Sequence, residues 1–386
     1  MKKQNRLTLA TIATSVGLAA SGVFSLAVAD VNPPLAALGD PPIPSDNKQS
    51  AAKIELGKML FFDTRIGGDA SVACSDCHSP KQGWGFNDPL SRGYPGVIHW
   101  RNSQTVINSA YLGKLFWTGS AKSLENQAPS AALGAVSGNG ERDMVEARLA
   151  FIPEYVKRFN DVFGDGDHPK VQNIWRAMAA FERTLIVNDT PFDKYMNGDK
   201  SALSEQQVRG LDLFQGKANC IECHNGPLLT DQKYYNLGIE RADDWFDNGM
   251  AQITFRYENY AKGVPEDMYR KVKDDAGYYY RTKLAEDMGK FRTAPLRYTL
   301  YTAPYMHNGK FFDFEEVVDF YNEGGGSNEF TDGTMASNKT PLLKPLNLTD
   351  DEKADLVAFL ESLSGPELKI AIPELPPYAP LPAVAN

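Results

Sequence analysis

Thiols and imidazoles are scarce in this chain: 386 residues hold four cysteines and five histidines. So few cysteines exclude a small scaffold stapled by many disulfides. Beyond residue 29 no uninterrupted apolar run is long enough to span a bilayer, so no stable membrane insertion is expected of the processed chain. Basic residues are also in the minority, 40 Lys and Arg against 49 Asp and Glu, which argues against nucleic acid as a partner. What is there is placed with unusual economy. All four cysteines fall in two runs, Cys74-Ser75-Asp76-Cys77-His78 and Cys220-Ile221-Glu222-Cys223-His224.

A C-x-x-C pair alone could be half of a zinc site, a redox motif or a disulfide. Neither zinc nor redox chemistry calls for a histidine directly after the second cysteine, and both runs have one. C-x-x-C-H is the attachment signature of a c-type haem, with two thioethers to the porphyrin and the histidine as proximal iron ligand. Two covalent haems c are therefore expected, held by Cys74, Cys77 and His78 and by Cys220, Cys223 and His224. The N-terminus agrees with that chemistry. Lys2, Lys3 and Arg6 precede an apolar stretch from Leu7, and Ala27-Val28-Ala29 is a small-x-small cleavage site, so residues 1–29 read as a signal peptide for export to the periplasm. Cleavage would remove three basic residues and no acidic ones, taking the formal charge from −9 to −12.

The 357 residues that follow exceed one ordinary core, and the haem motifs lie 146 residues apart, so each is assigned a domain: 30–165 and 166–386, divided in the Gly-Asp-rich stretch Gly164 to Asp167. The expected class is all-α, two cytochrome c-like helical domains with long irregular loops. Helices are predicted over 51–61, 142–160 and 169–188. Another starts at the capping box Ser204-x-x-Gln207, and a closing one at Thr349-x-x-Glu352. Gly57 is unfavourable inside the first. Residues 230–290 show no clear pattern, and from Pro366 the tail is Pro-rich and extended.

Arg101-Asn102-Ser103-Gln104-Thr105, Phe116-Trp117-Thr118-Gly119, Ser123-Leu124-Glu125-Asn126-Gln127, Phe291-Arg292-Thr293-Ala294-Pro295 and Thr302-Ala303-Pro304-Tyr305-Met306-His307 together resemble the bacterial di-haem cytochrome c peroxidases and the MauG-type enzymes. The resemblance implies a sixth ligand for the second haem fourteen residues after the histidine of P-Y-x-H, methionine in the peroxidases and tyrosine in the MauG type. Here that position, counted from His307, is Tyr321, with Met306 the second choice. A phenolate stabilises the higher oxidation states of iron, whereas a thioether favours the ferrous state. The same resemblance implies that Trp117 lies between the haems, that Gln127 lines the distal pocket of the first, and that Asn102, Thr302 and Pro304 hold a calcium ion. It also shows departures. Tyr94 stands where the peroxidases have a displaceable histidine, with His99 five residues on, so a five-coordinate first haem is expected. The family's distal proline and acid–base glutamate fall on Ala131 and Ser137, so either Glu141 takes the catalytic acid–base role after a loop shift or peroxide turnover is slow or absent.

These residues point to a periplasmic di-haem peroxidase that uses hydrogen peroxide at the first haem and draws electrons from a partner protein or a small cytochrome c. Two further readings stand beside it: an ordinary cytochrome c peroxidase with a higher-potential second haem, and a di-haem electron carrier without peroxide chemistry. One equivalent of hydrogen peroxide added to the ferric protein is expected to change its optical spectrum. An unchanged spectrum would identify the carrier.

Overall fold

The computed structural model describes residues 32–166, 168–242, 245–270, 274–327 and 338–379. The expected signal at 1–29 lies outside them, as does Asp167 of the expected linker. Helices dominate. Among the described residues the strands are two antiparallel pairs of two residues each, Arg92–Gly93 with Val97–Ile98 and Tyr234–Tyr235 with Phe291–Arg292. The all-α expectation holds, and no helix among these residues is long and apolar enough to cross a membrane.

Why each helix begins where it does is readable in its cap. Ser50 Oγ accepts from Lys53 N at the head of Ala51–Phe61, Ser204 and Gln207 cap Glu205–Gln215 reciprocally, and Thr349 and Glu352 do the same for Asp350–Ser362. The predicted helix over 142–160 is two helices, Arg142–Ala150 and Pro153–Phe163. The break falls before Pro153, which has no N–H to continue the first and suits the first turn of the second. The predicted helix over 169–188 is Val171–Glu182, shorter at both ends.

The architecture is a duplication. In the first half, Ala51–Phe61 precedes the first haem motif and crosses Val171–Glu182. In the second, Glu205–Gln215 precedes the second motif and crosses Asp350–Ser362. Each crossing has a glycine at its closest point. A Cβ at Gly57 would collide with Ala177 O, and one at Gly210 with Asp355 O. Gly57 thus costs helix propensity and gains backbone approach. The crossings carry separate cores, one of Leu56, Leu60, Phe159, Ile174 and Met178, the other of Leu211, Phe214, Leu356 and Phe359. The expected boundary at 165 would part Val171–Glu182 from its partner. The packing joins them, because Ile174, Ala177 and Met178 face Leu56 and Leu60.

A second repeated unit follows each motif. A tight turn bridged at Leu115 and Ala121 leads to Leu124–Ala132, and one bridged at Tyr305 and Phe311 leads to Phe314–Asn322. In both turns a bulky residue takes the left-handed conformation, Phe116 (φ 63°) and Met306 (φ 69°), and a glycine follows three residues later.

From Asn32 the chain forms one compact unit, because its terminal segments cross over. Pro33 O accepts from Gly226 N (3.0 Å) and Ala36 O from Arg297 Nη2 (3.0 Å), so the N-terminal segment lies on the second core. The tail returns to the first: Leu368 O accepts from Trp84 Nε1 (3.0 Å) and Pro376 O from Arg65 Nη1 (2.8 Å). At one crossing Asp193 accepts from Leu38 N (3.0 Å), Thr190 Oγ1 (2.7 Å) and Arg297 Nη1 (2.9 Å), with both charged side chains almost wholly buried (0% and 2% exposed). Asp193→Ala leaves a buried guanidinium unpaired and is expected to cost about 3–5 kcal/mol in a denaturant titration of the full protein.

Candidate active site

The first motif is a single helical turn, Cys74–Cys77, capped by Asp76 Oδ2 accepting from Ala73 N (2.7 Å). His78 N donates to Cys74 O (3.0 Å), which closes the turn. The second is a 3-10 turn, Cys220–Glu222, entered through Asn219 in the left-handed region (φ 53°), and His224 N donates to Cys220 O (2.9 Å). No disulfide joins any of the four cysteines. Both motifs line one cavity of about 830 Å³.

The donor set fits two covalent haems. His224 Nδ1 lies 3.0 Å from Leu229 O, so it carries the proton and leaves the Nε2 lone pair for a metal. His78 Nδ1 is buried with no hydrogen-bond partner, and burial lowers this imidazole to about 4. Both rings are therefore neutral at physiological pH, the form that ligates iron.

In the lining of that cavity the two repeated turns meet. Trp117 and His307 occupy equivalent positions in them and touch edge to face, centroids 6.3 Å apart at 76°. Asn102 ties them together: its N donates to His307 O (2.8 Å) and its O accepts from Trp117 Nε1 (2.9 Å). Its side-chain amide nitrogen donates to Phe86 O and Asp88 O, both 3.1 Å, which commits the nitrogen and leaves Oδ1 available. Thr302 and Pro304 line the same cavity. His307 itself stacks on Phe291 (3.7 Å, 15°) and is a packed, neutral residue, lowered to about 4 by burial.

Tyr321 projects from Phe314–Asn322, a helix capped by Asp313 Oδ1 on Glu316 N (2.8 Å), into the cavity that Cys220, Cys223 and His224 also line. Burial, with the Cys223 and Cys220 thiols adding to it, pushes its phenol well above the ordinary value. Met306 lines the cavity from the turn. In the first half the duplication gives the equivalent of Tyr321: fourteen residues after Trp117, as Tyr321 is fourteen after His307, stands Ala131. A methyl group replaces the phenol.

Gln127, Ala131 and Ser137 all reach the cavity. The Ser137 hydroxyl donates to Ala131 O (2.6 Å) and Gly134 O (3.2 Å), so it serves its own turn. Glu141 does not reach the cavity. It is the exposed N-cap of Arg142–Ala150, its Oε2 accepting from Met144 N (3.0 Å), and that bond holds the carboxyl below its usual range. Tyr94 is not among the residues that line the cavity, whereas His99 is.

Several buried charges at the cavity escaped the reading of the sequence. Arg101 pairs with Asp275 (2.6 Å) from the stretch that had no pattern. Glu182 is 3% exposed, and burial raises its carboxyl to about 8. Glu182 left a trace: it falls four residues after Met178 and seven after Trp175, on the apolar face of its helix. Asp275 left none, because its partner is 174 residues away.

Comparison with known proteins falls in line with this geometry. Residues 51–201 match the model of the di-haem cytochrome c peroxidase family. The cytochrome-c peroxidase IdrP1 of Pseudomonas sp. (strain SCT) is 51% identical over 99% of both chains. The methylamine utilization protein MauG of Methylorubrum extorquens is 32% identical over 87% of this chain and 84% of its own. Among solved structures, a MauG-like protein associated with microbial copper homeostasis superposes with a TM-score of 0.71 at 29% identity, over 86% of this chain and 94% of its own.

Glu141→Gln is expected to weaken the cap, lowering the thermal midpoint slightly, while the rate of reaction with hydrogen peroxide stays at the parent value. A large loss of that rate would return Glu141 to the site.

Proposed function

Since the chain belongs to the di-haem cytochrome c peroxidase family and is a di-haem peroxidase carrying two c-type haems, we propose that peroxide reacts at the first haem alone, while Tyr321 closes the second. The observation that carries this reading is the pairing of Ala131 with Tyr321 across the duplication, a side chain without a donor atom set against one with a phenol oxygen. The haems, when bound, supply the redox chemistry by which peroxide is reduced. The protein's part is to make them unequal. His78 and His224 offer the same neutral imidazole from below, and the far sides differ.

Gln127 is placed to donate a hydrogen bond to peroxide in the first site. Trp117, fixed by its bond to Asn102 O and set edge to face against His307, lines the cavity that both motifs share and serves as the relay. Asn102 Oδ1 and the carbonyls of Thr302 and Pro304 are the oxygen donors for a calcium ion at that junction, a hard set suited to it. Such an ion would stiffen the contact between the two repeated turns.

Ala218, two residues before the second motif, is 5% exposed, so no surface aromatic stands there to pass charge to a bulky protein substrate. A small redox protein delivering electrons near the second haem fits better, as the name of the 51% identical relative, a cytochrome-c peroxidase, also supports. In this reading the protein acts in the periplasm, where the expected export signal would deliver it.

The ferric protein is expected to show one high-spin and one low-spin haem by electron paramagnetic resonance. Tyr321→Phe should shift the low-spin component and alter the optical spectrum. Two low-spin haems in the parent, or a spectrum indifferent to Tyr321→Phe, would defeat this assignment.

A further inference from the structure

Breaking the O–O bond of peroxide heterolytically requires a group that takes a proton from one oxygen and gives it to the other. The turn beside the first motif has none, because Ser137 is bonded to carbonyls of its own turn and Glu141 caps a helix outside the cavity. The hairpin Arg92–Gly93/Val97–Ile98 is wedged against both that turn and the motif. Tyr94 N donates to Ser137 O (2.7 Å), a Cβ at Gly93 would collide with Val136 O, and Cys77 Sγ lies 2.8 Å from Arg92 O.

The residue leaving this hairpin is His99. Its N donates to Ser91 O (2.7 Å), and its ring lies flat on Trp100 (4.6 Å, 11°). Its Nε2 is buried with no hydrogen-bond partner, an uncommon condition that calls for a cause. The ring lines the cavity together with Val136, Ser137 and Glu258. Glu258 comes from Gly249–Ala261, the helix of the unpatterned stretch, which packs over the hairpin through Phe255 on Trp100 (5.7 Å). The Glu258 carboxylate is 16% exposed and paired with Lys262 (2.8 Å).

We propose that His99 is the proton-transfer residue for peroxide at the first haem, with Glu258 as its positioning partner. The proposal rests on the reading of the first site as open. His99 accepts the proton of the peroxide oxygen nearer the first haem and returns it to the farther one. The O–O bond breaks with both of its electrons on the farther oxygen, which leaves as water. The nearer oxygen, left two electrons short, draws them from the haems and takes two protons from solvent to become a second water. The donor protein restores the electrons. The charges facing His99 suit this traffic: burial lowers the imidazole to about 4, Glu258 opposes that, and Lys262 and Arg101 reinforce it, Arg101 being itself paired with Asp275. At neutral pH the ring is thus a free base, and the carboxylate nearby steadies the imidazolium that forms in passing.

The test uses the full protein with both haems, as His99→Gln and Glu258→Gln. Binding of cyanide to the ferric first haem is the second readout besides peroxide reduction, because hydrogen cyanide must also shed its proton to bind. With haem content and the high-spin signal retained, His99→Gln should slow both peroxide reaction and cyanide association about 10²- to 10⁴-fold and remove the acidic limb of the cyanide pH profile. In Glu258→Gln the imidazole loses a stabilising anion, so that limb should move to lower pH. Rates within twofold of the parent in His99→Gln would overturn the proposal, as would an unmoved limb in Glu258→Gln for the role of Glu258. If the parent shows two low-spin haems and His99→Gln converts one to high-spin, His99 is a ligand and the open-site reading falls with the proposal. If both stay low-spin in the variant, the open-site reading fails on grounds unrelated to His99.

Discussion

The junction of Trp117, Asn102 and His307 is the contact on which the rest depends. Two repeated turns that never meet in sequence are locked there by one backbone bond, one indole bond and an edge-to-face pair. Everything asymmetric about the protein is referred to that junction. Fourteen residues beyond one side of it stands a phenol, and fourteen beyond the other a methyl group. A duplicated frame presents both attachment motifs to one cavity, and in the proposed reading single side chains on the far side separate the chemistry of the two haems. In the proposed reading, that economy lets two attachment motifs that look alike serve a binding site and an electron-transfer site in one chain.

Much of this was legible in the sequence, and the parts that were not have physical causes. The attachment motifs and the caps at Ser50, Ser204 and Thr349 are local: their partners lie within a few residues, so spacing alone identifies them. Gly57 looked like a weakness, because helix propensity speaks only of the isolated helix and the gain lies in the crossing with Ala177. Arg101 with Asp275 is a long-range pair, and the charge of Glu258 reaches His99 from similarly far along the chain, and no periodicity announces either. Glu141 was the opposite case, an acid near the right place in sequence whose carboxylate is spent on Met144 N. Proximity along the chain is a poor guide where a loop must supply the group, since loops are placed by what they pack against.

The stretch from 230 to 290, without clear pattern, turns out to supply part of the wall of the cavity that both motifs line. Its helix Gly249–Ala261 builds a small separate core with Leu90 and Trp100, and Asp275 and Tyr280 extend that core toward Arg101. Weak periodicity is what such a segment should show, because it is covered on several sides by short contacts and by no single long helix.

The crossing of the terminal segments has a consequence for assembly. The segment around Pro33 to Leu38, made first, is seated only when Gly226, Asp193 and Arg297 exist, and the tail, made last, completes the surroundings of Trp84 and Arg65 in the half made first. Neither haem-bearing half can finish its fold alone. Each holds a place for the other's end, as two hands clasp, so trimming either terminus strips contacts from the opposite half of the molecule.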